Sequence, residues 1–235
     1  MVFIISAPSG SGKTTLTNEL MKNVENLEFS ISYTTRQPRG SERNGREYFF
    51  VSHSTFEGML AKDEFLEHAS VFGEYYGTAR RFLDDAAARG KDLLLDIDVQ
   101  GAAQVKSRMP EAVSIFILPP SRRELEQRLR RRSQAEKNVA EEVIERRLQA
   151  AAREIEKYSK YDYILVNDQL GKSIDELEAI VEAERLKHSG AKPSPEDQPK
   201  LATAESCLLP NARERVSSIL SSFAPTAISS GREQL

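Results

Sequence analysis

The sequence predicts an α/β protein: a mostly parallel sheet with helices on both faces, carrying an inserted α+β subdomain and a helical lid. Three observations support this. Near-continuous apolar runs recur at residues 2–5, 92–98, 113–118 and 163–166, and strands apolar at successive positions are those covered on both faces. Stretches with apolar residues at helical spacing separate these runs, which is the rhythm of a parallel sheet. Between about residues 32 and 90 that rhythm lapses into short strand-like pieces, the mark of an insertion.

Bulk composition bounds the rest. A chain of 235 residues has room for one substantial α/β domain with insertions, or for two small domains. With 39% hydrophobic and 29% charged residues it is ordinary globular material. The net charge of −3 gives no global field toward nucleic acid or anionic lipid, so neither partner is expected and any anion binding must be local. The single cysteine, Cys207, excludes a disulfide framework and a cysteine-rich metal site, and three scattered histidines offer no metal-ligand spacing. A cytoplasmic home is expected. The apolar run at the N-terminal end is too short for a secretory core, and no stretch is long enough to span a bilayer.

In chain order, residues 2–5 read as a buried strand, 8–12 as a tight turn, and 13–23 as an amphipathic helix with Leu16, Leu20 and Met21 on its packed side. A strand follows at 29–35, then a polar Pro/Gly loop, a strand at 48–51, and a helix at 54–61 with Ser54 as its cap. Strands at 65–72 and 75–78 and a helix at 79–89 complete the insertion. The main rhythm resumes with a strand at 92–98, a helix at 100–108, a strand at 113–118, and a Pro-Pro-Ser stop. Residues 125–155 read as helical apart from a polar break at 133–138. A last strand (163–166) and helix (174–186) end the core. The expected organisation is a domain over 1–188 (core 1–31, 91–124 and 149–188; insertion 32–90; lid 125–148). Residues 189–235 form a Pro/Ser/charge linker with an extension that is either largely disordered or a short docking helix. Composition favours the disordered reading, although Val216, Ile219, Leu220 and Phe223 fall at helical spacing.

Chemistry enters at residues 2–16, VFIISAPSGSGKTTL. A strand, a glycine-bearing turn and a helix start in that order form a phosphate-binding loop. Backbone N–H groups around Gly10 and Gly12 can turn onto a polyphosphate because no Cβ intervenes, and the helix adds its positive end. The loop residues Ala7, Pro8, Ser9, Gly10, Ser11, Gly12, Lys13, Thr14 and Thr15 are the candidate contacts to a nucleoside triphosphate. Lys13 would reach the β and γ phosphates, and the Thr14 hydroxyl would meet a magnesium ion. Ala7 stands where this pattern usually begins with glycine.

Two further features narrow the reaction. Arginines crowd residues 122–153, with RLRRR placing four cations in five residues without an acid among them, as suits neutralisation of a moving phosphoryl group. In residues 30–51, SISYTTRQPRGSERNGREYFFV, Arg36 and Arg39 flank Pro38 and can grip one phosphate monoester, with the Tyr48 hydroxyl as a further donor.

The order TTR, Arg39, Glu42, Gly45, Tyr48, Phe50 resembles the substrate-phosphate signature of the guanylate kinase family. The resemblance runs to about residue 186, taking in FLEHASVFGEYYGT, LLLDIDVQG, the arginine-rich lid and the VND segment. It implies a P-loop NTPase-type sheet and ATP-dependent phosphorylation of GMP to GDP with Mg²⁺, ATP and GMP being the molecules bound. Glu67 would accept from the two adjacent guanine donors, Ser32 and Thr78 would serve the acceptor edge, and Asp98 would face the base. Arg36, Arg39, Tyr48 and Tyr76 would hold the GMP phosphate. Asp96 would lie toward the Mg²⁺ and its waters. Arg128, Arg132 and Arg147 match lid arginines over the ATP phosphates, together with Lys13 as the catalytic set, and Asn167 matches an adenine-side position. The alternatives are a catalytically silent interaction module, a kinase for another nucleotide or a sugar phosphate, and a nucleic-acid-dependent NTPase. The intact GSGKT, the pair Glu67 and Thr78, and the placing of the basic residues in a lid argue against them in turn. Oligomeric state, homo-oligomerisation included, is left open.

Overall fold

The computed structural model describes residues 1–71, 73–135 and 141–224. Phe72, positions 136–140 of the expected lid, and 225–235 of the extension lie outside the described residues.

In chain order the elements are β1 (Val2–Ser6), α1 (Lys13–Asn23), β2 (Leu27–Phe29), β3 (Tyr33–Thr34), β4 (Phe49–Phe50), α2 (His53–Ala61), β5 (Phe65–Val71), β6 (Glu74–Ala79), α3 (Arg81–Ala88), β7 (Asp92–Asp96), α4 (Val99–Arg108), β8 (Val113–Leu118), α5 (Arg122–Ala135), α6 (Glu141–Ile155), β9 (Tyr163–Val166), α7 (Leu170–Ser189), α8 (Gln198–Cys207) and α9 (Leu209–Phe223). Five strands form one parallel sheet in the order β2-β7-β1-β8-β9. The insertion forms a second sheet, β4-β3-β6-β5, with antiparallel β3-β6 and β5-β6 pairs.

The near-continuous apolar runs are explained by what covers them. Val2 and Ile4 of β1, Leu93 and Leu95 of β7, Phe116 and Leu118 of β8, and Ile164 and Val166 of β9 enter one core, with α3, α4 and α9. Their alternates Phe3, Ile5, Leu94, Ile115, Ile117 and Leu165 enter the opposite core, with α1, α7 and α8. Period-two alternation thus puts apolar residues on each face of these strands, with Ser6 and Ser114 as buried polar exceptions.

Several boundaries depart from the sequence reading. The strand expected over 29–35 is two strands in different sheets. The Ser30 N–H still donates to Leu94 O at 3.0 Å, while the Ser32 carbonyl accepts from the Phe49 N–H at 2.9 Å, so the chain changes sheets within two residues. Helix α2 is capped by Ser52, whose Oγ accepts the Thr55 N–H at 3.1 Å, and not by Ser54. Strand β7 ends at Asp96, and Asp98 is the N-cap of α4.

The disordered reading of 189–235 gives way over 198–223. Helices α8 and α9 each carry proline in the first turn, where its missing N–H has no helical partner to lose. Ala204 and Cys207 are buried beside α7 in one core, and Ala212, Val216 and Ile219 beside β9 in the other. No helix among the described residues is long and apolar enough to cross a membrane.

Candidate active site

Strand β1 delivers the chain into the phosphate loop at the carboxyl end of the parallel sheet, where ligands of open α/β sheets bind. Gly10 and Gly12 have φ of +92° and +94°, a region open to glycine at little cost. A side chain at Gly12 has no room either, since its Cβ would lie 2.2 Å from Asn167 Nδ2. The Asn167 amide donates to Ser11 O at 2.7 Å, and the Arg128 guanidinium reaches Ser11 O at 3.4 Å and Asn167 O at 3.0 Å. Because a trans peptide points C=O and N–H to opposite sides, holding the Ser11 carbonyl outward turns the Gly12 N–H the other way.

The Lys13 ammonium forms an ion pair with Asp96 at the end of the adjacent strand β7, where β1 and β7 pair Ile5 with Asp96. Desolvation brings its pKa down to about 8, against the pull of the Glu154, Asp98 and Glu67 charges. Thr14 and Thr15 are exposed on the first turn of α1. The oxygen set of Thr14 and Asp96 suits a hard divalent cation that keeps several ligands from water and phosphate. No group of three or more His, Cys, Asp or Glu side chains among the described residues makes a metal cage.

The inserted sheet builds a second polar cluster. Residues 67 and 78 are opposite one another on β5 and β6, and both side chains are buried. The Ser32 and Thr78 hydroxyls lie 3.3 Å apart. Burial, reinforced by Asp98, raises the Glu67 carboxyl to about 7 although hydrogen bonding to Thr78 opposes it. Beside it, the Arg36 guanidinium donates to the Tyr76 hydroxyl at 3.2 Å and makes a two-pronged pair with Glu42 at 2.8 and 3.1 Å. Burial works against the Arg36 charge, but Glu42 and Tyr76 raise its pKa overall. Its guanidinium also lies 5.2 Å from the Tyr48 ring centre. Arg39 is exposed, and its backbone N–H donates to Glu42 at 2.7 Å.

Most of the residues singled out from sequence are therefore brought together: the loop with Lys13 and Asp96, Ser32 with Glu67 and Thr78, and Arg36 with Tyr48 and Tyr76. Asp98 differs in kind. It caps α4, its Oδ1 accepting the Gln100 and Gly101 N–H groups at 3.1 and 2.8 Å. For Asn167 the structure gives a loop contact where sequence suggested an adenine contact. In the lid, Arg128 touches the loop, Arg132 is exposed one turn further along α5, and Arg147 is half-buried on α6. The acid-free impression of RLRRR also changes, because Arg128 pairs with Glu124, and Arg130 with Glu126 and Glu141.

Three residues escaped the sequence reading. Glu42 supplies the carboxylate that orients Arg36, a contact hinted at only by its place in the loop signature. Gly101 lies directly under Glu67, where a Cβ would fall 2.2 Å from Oε2. Glu154, near the end of α6, is raised to about 7 by burial and feels Asp98 and Lys13. Gly101 closes the quoted LLLDIDVQG stretch without a role having been read for it, and nothing local in the sequence marks Glu154.

Comparison with known proteins agrees with this geometry. Residues 1–184 match the family model described as guanylate kinase. A guanylate kinase of Koribacter versatilis is 63% identical over 222 residues, covering 94% of this chain and 95% of that protein. One of Escherichia coli K12 is 48% identical over 193 residues, covering 81% and 91%. The crystal structure of guanylate kinase from Anaplasma phagocytophilum superposes with a TM-score of 0.65 at 36% identity, covering 79% of this chain and 86% of the other. With the loop, the buried carboxylate and the arginine clusters placed as described, the chain belongs to the guanylate kinase family.

Proposed function

We infer that this chain carries out the family's reaction, ATP + GMP giving ADP + GDP, by direct in-line transfer. One observation carries the assignment of roles: Lys13 of the phosphate loop, paired with Asp96, and the buried Glu67 of the inserted sheet lie close enough that each feels the other's charge. A donor-phosphate group and an acceptor-base group thus share one electrostatic site, as transfer between two nucleotides requires.

The ATP phosphates would lie on the 7–15 loop, with the Gly10 and Gly12 backbone, Lys13 and the positive end of α1 facing them. Guanine would be read by Glu67, Ser32 and Thr78, its N1–H and exocyclic amine donating to the carboxylate, while adenine would turn a lone pair toward it. Asp98, fixed as the α4 cap, would border the base, its negative charge facing the amine side. Arg36, Arg39, Tyr48 and Tyr76 would fix the GMP phosphate. An oxygen of that phosphate attacks the γ phosphorus, the bond to the β–γ bridging oxygen breaks, and ADP leaves. Lys13 and the lid residues Arg128, Arg132 and Arg147 stabilise the charge that moves during this exchange. Thr14 and Asp96 would hold magnesium, partly through water, and the ion would supply positive charge to offset that of the phosphate oxygens. Closure of the insertion and lid would exclude water that otherwise hydrolyses ATP. Asn167 acts on ATP through the loop it supports. The buried, free Cys207 fits a reducing cytoplasm.

The test is ADP release coupled to an optical readout, with GMP, dGMP, AMP, UMP and TMP offered separately. GMP should be the clear favourite, with AMP disfavoured by about 10⁴ or more because the buried polar groups would be left unpaired. Comparable turnover of AMP or a pyrimidine nucleotide would defeat the assignment.

A further inference from the structure

Helices α8 and α9 lie beyond residue 184, where the family-model match ends. They are nevertheless tied into the molecule. The Leu209 N–H donates to Asp162 O at 2.9 Å, Arg215 reaches the buried Glu176 at 2.8 Å, and Ala212, Val216 and Ile219 enter the core beside β9. This anchoring carries the last turn of α9 to the foot of the lid.

Two contacts are made there. The Ser222 hydroxyl donates to Ile219 O at 2.7 Å and accepts the backbone N–H of Arg122, the first residue of α5, at 3.0 Å. It satisfies one of the donors that a helix start leaves without an internal partner. Phe223 packs both on the main core and on the lid cluster of Leu125, Leu129, Ile144, Leu148 and Ala151, and among the described residues it alone joins these two cores.

The far side of the same α5 residues faces the phosphate loop. Leu125 and Leu129 are fully buried, and a Cβ at Gly10 would lie 3.1 and 3.0 Å from their methyl carbons. Arg128, between them, reaches the Ser11 carbonyl. A packed path therefore runs from Phe223 through the lid cluster, of which Leu125 and Leu129 are members, to Gly10, and from Ser222 through the start of α5 to Arg128.

We propose that Ser222 and Phe223 are positioning residues for the ATP site: the C-terminal extension sets the seat of α5, and α5 in turn sets the phosphate loop and the lid arginines. The proposal rests on the assignment of residues 7–15 to ATP. Among the described residues no hydrogen bond or ion pair joins α9 to Glu67, Thr78, Arg36 or Tyr48 on the acceptor side.

The test uses the full-length chain with Phe223→Ala, Phe223→Leu and Ser222→Ala. Affinities for a non-hydrolysable ATP analogue and for GMP are measured separately by calorimetry, alongside KM for each substrate and the melting temperature. Phe223→Ala should weaken the analogue by about three- to thirtyfold, the range in which residues remote from a ligand modulate it, with GMP affinity within about twofold. Phe223→Leu, which refills most of the gap, should recover most of the loss, and Ser222→Ala should move in the same direction by less. Equal weakening of analogue and GMP, or a lowered melting temperature with both affinities unchanged, would overturn the proposal. Wild-type protein that failed to bind the analogue would overturn it together with the ATP assignment. Tight wild-type binding matched by Phe223→Ala would overturn it alone.

Discussion

Gly101→Ala tests how the acceptor site gets its shape. The added Cβ would sit 2.2 Å from Glu67 Oε2 and 2.9 Å from its Cδ, closer than packed atoms tolerate. Either α4 or the carboxylate must move. Helix α4 is held at its start by the Asp98 cap, through Ala102 and Val105 in the core, and by Gln104, which exchanges hydrogen bonds with the His68 backbone at 3.2 and 2.6 Å. Glu67 is held mainly by its hydrogen bonding to Thr78, at the end of a flexible side chain, so Glu67 moves. Misaligning two charge-assisted hydrogen bonds to guanine, each worth about 1.5–3 kcal/mol, should cost roughly 3 kcal/mol or more of GMP recognition. That is a rise in KM for GMP of about 150-fold, with KM for ATP nearly unchanged. Overpacking should also lower folding stability by about 1–3 kcal/mol, read as a lower melting temperature. The assay is coupled ADP release with GMP and with inosine monophosphate, which lacks the exocyclic amine. The variant should lose most of the wild-type preference for GMP. A second change, Glu67→Asp, shortens the side chain that clashes, so the double variant should suffer less than the sum of the two single changes. A Gly101→Ala protein that melts early yet keeps its KM for GMP within threefold would refute the reasoning, since the carboxylate could then sit elsewhere and still read the base.

Three other outcomes follow from the electrostatics. Burial raises Glu67 from 4.5 to about 7, while guanine's donors require the carboxylate, so KM for GMP should climb up to about tenfold per pH unit on acidification below 7; Glu67→Gln should flatten that profile and weaken GMP binding throughout. In the unliganded protein the folded state holds the Glu67 proton more tightly than the unfolded chain, so this residue's contribution to stability is full below about 4.5 and falls as pH rises toward 7. Melting at pH 5 and pH 8 should show wild type losing ground to Glu67→Gln; parallel behaviour would mean that the carboxyl is not desolvated. Lys13→Ala should reduce turnover by about 10³-fold or more through loss of charge stabilisation, leaving GMP affinity within about twofold. Near-normal turnover would remove Lys13 from its assigned role.

Much of the architecture was legible because burial on both faces writes a continuous apolar run into each main strand. The bounds of β8 and β9 follow directly from VSIFIL and YILV. The change of sheet between β2 and β3 was not legible, because FSISYTT keeps strand-like alternation through Ser30 and Ser32 with no glycine or proline at the crossing. Only the partners, Leu94 on one side and Phe49 on the other, show where the chain changes allegiance. The extension was misjudged on composition for a related reason. Pro199 and Pro210 look like linker residues, yet at the first turn of a helix proline is a starter, and which role applies depends on whether Val216 and Ile219 find a surface to cover.

The site divides along the same line. Residues whose chemistry is written into a compact pattern, from Gly10 to Thr14 and from Arg36 to Tyr48, could be named from sequence, since the contacts that give them meaning lie within a few positions or follow a family signature. The loop contact of Asn167, and Gly101 and Ser222 altogether, could not, because each acts on a partner 156, 34 or 100 positions away, respectively on Ser11, Glu67 and Arg122. The Ser11 carbonyl makes the point physically. A glycine-rich loop has many accessible backbone conformations, and the two glycines that permit the cradle also permit others. Its cradle form is selected from outside, by an amide after β9 and a guanidinium on α5, and α5 is itself seated by α9. The freedom of the loop is local and visible in its sequence, whereas the constraint that makes it a phosphate site is assembled from three distant segments and emerges only in the fold.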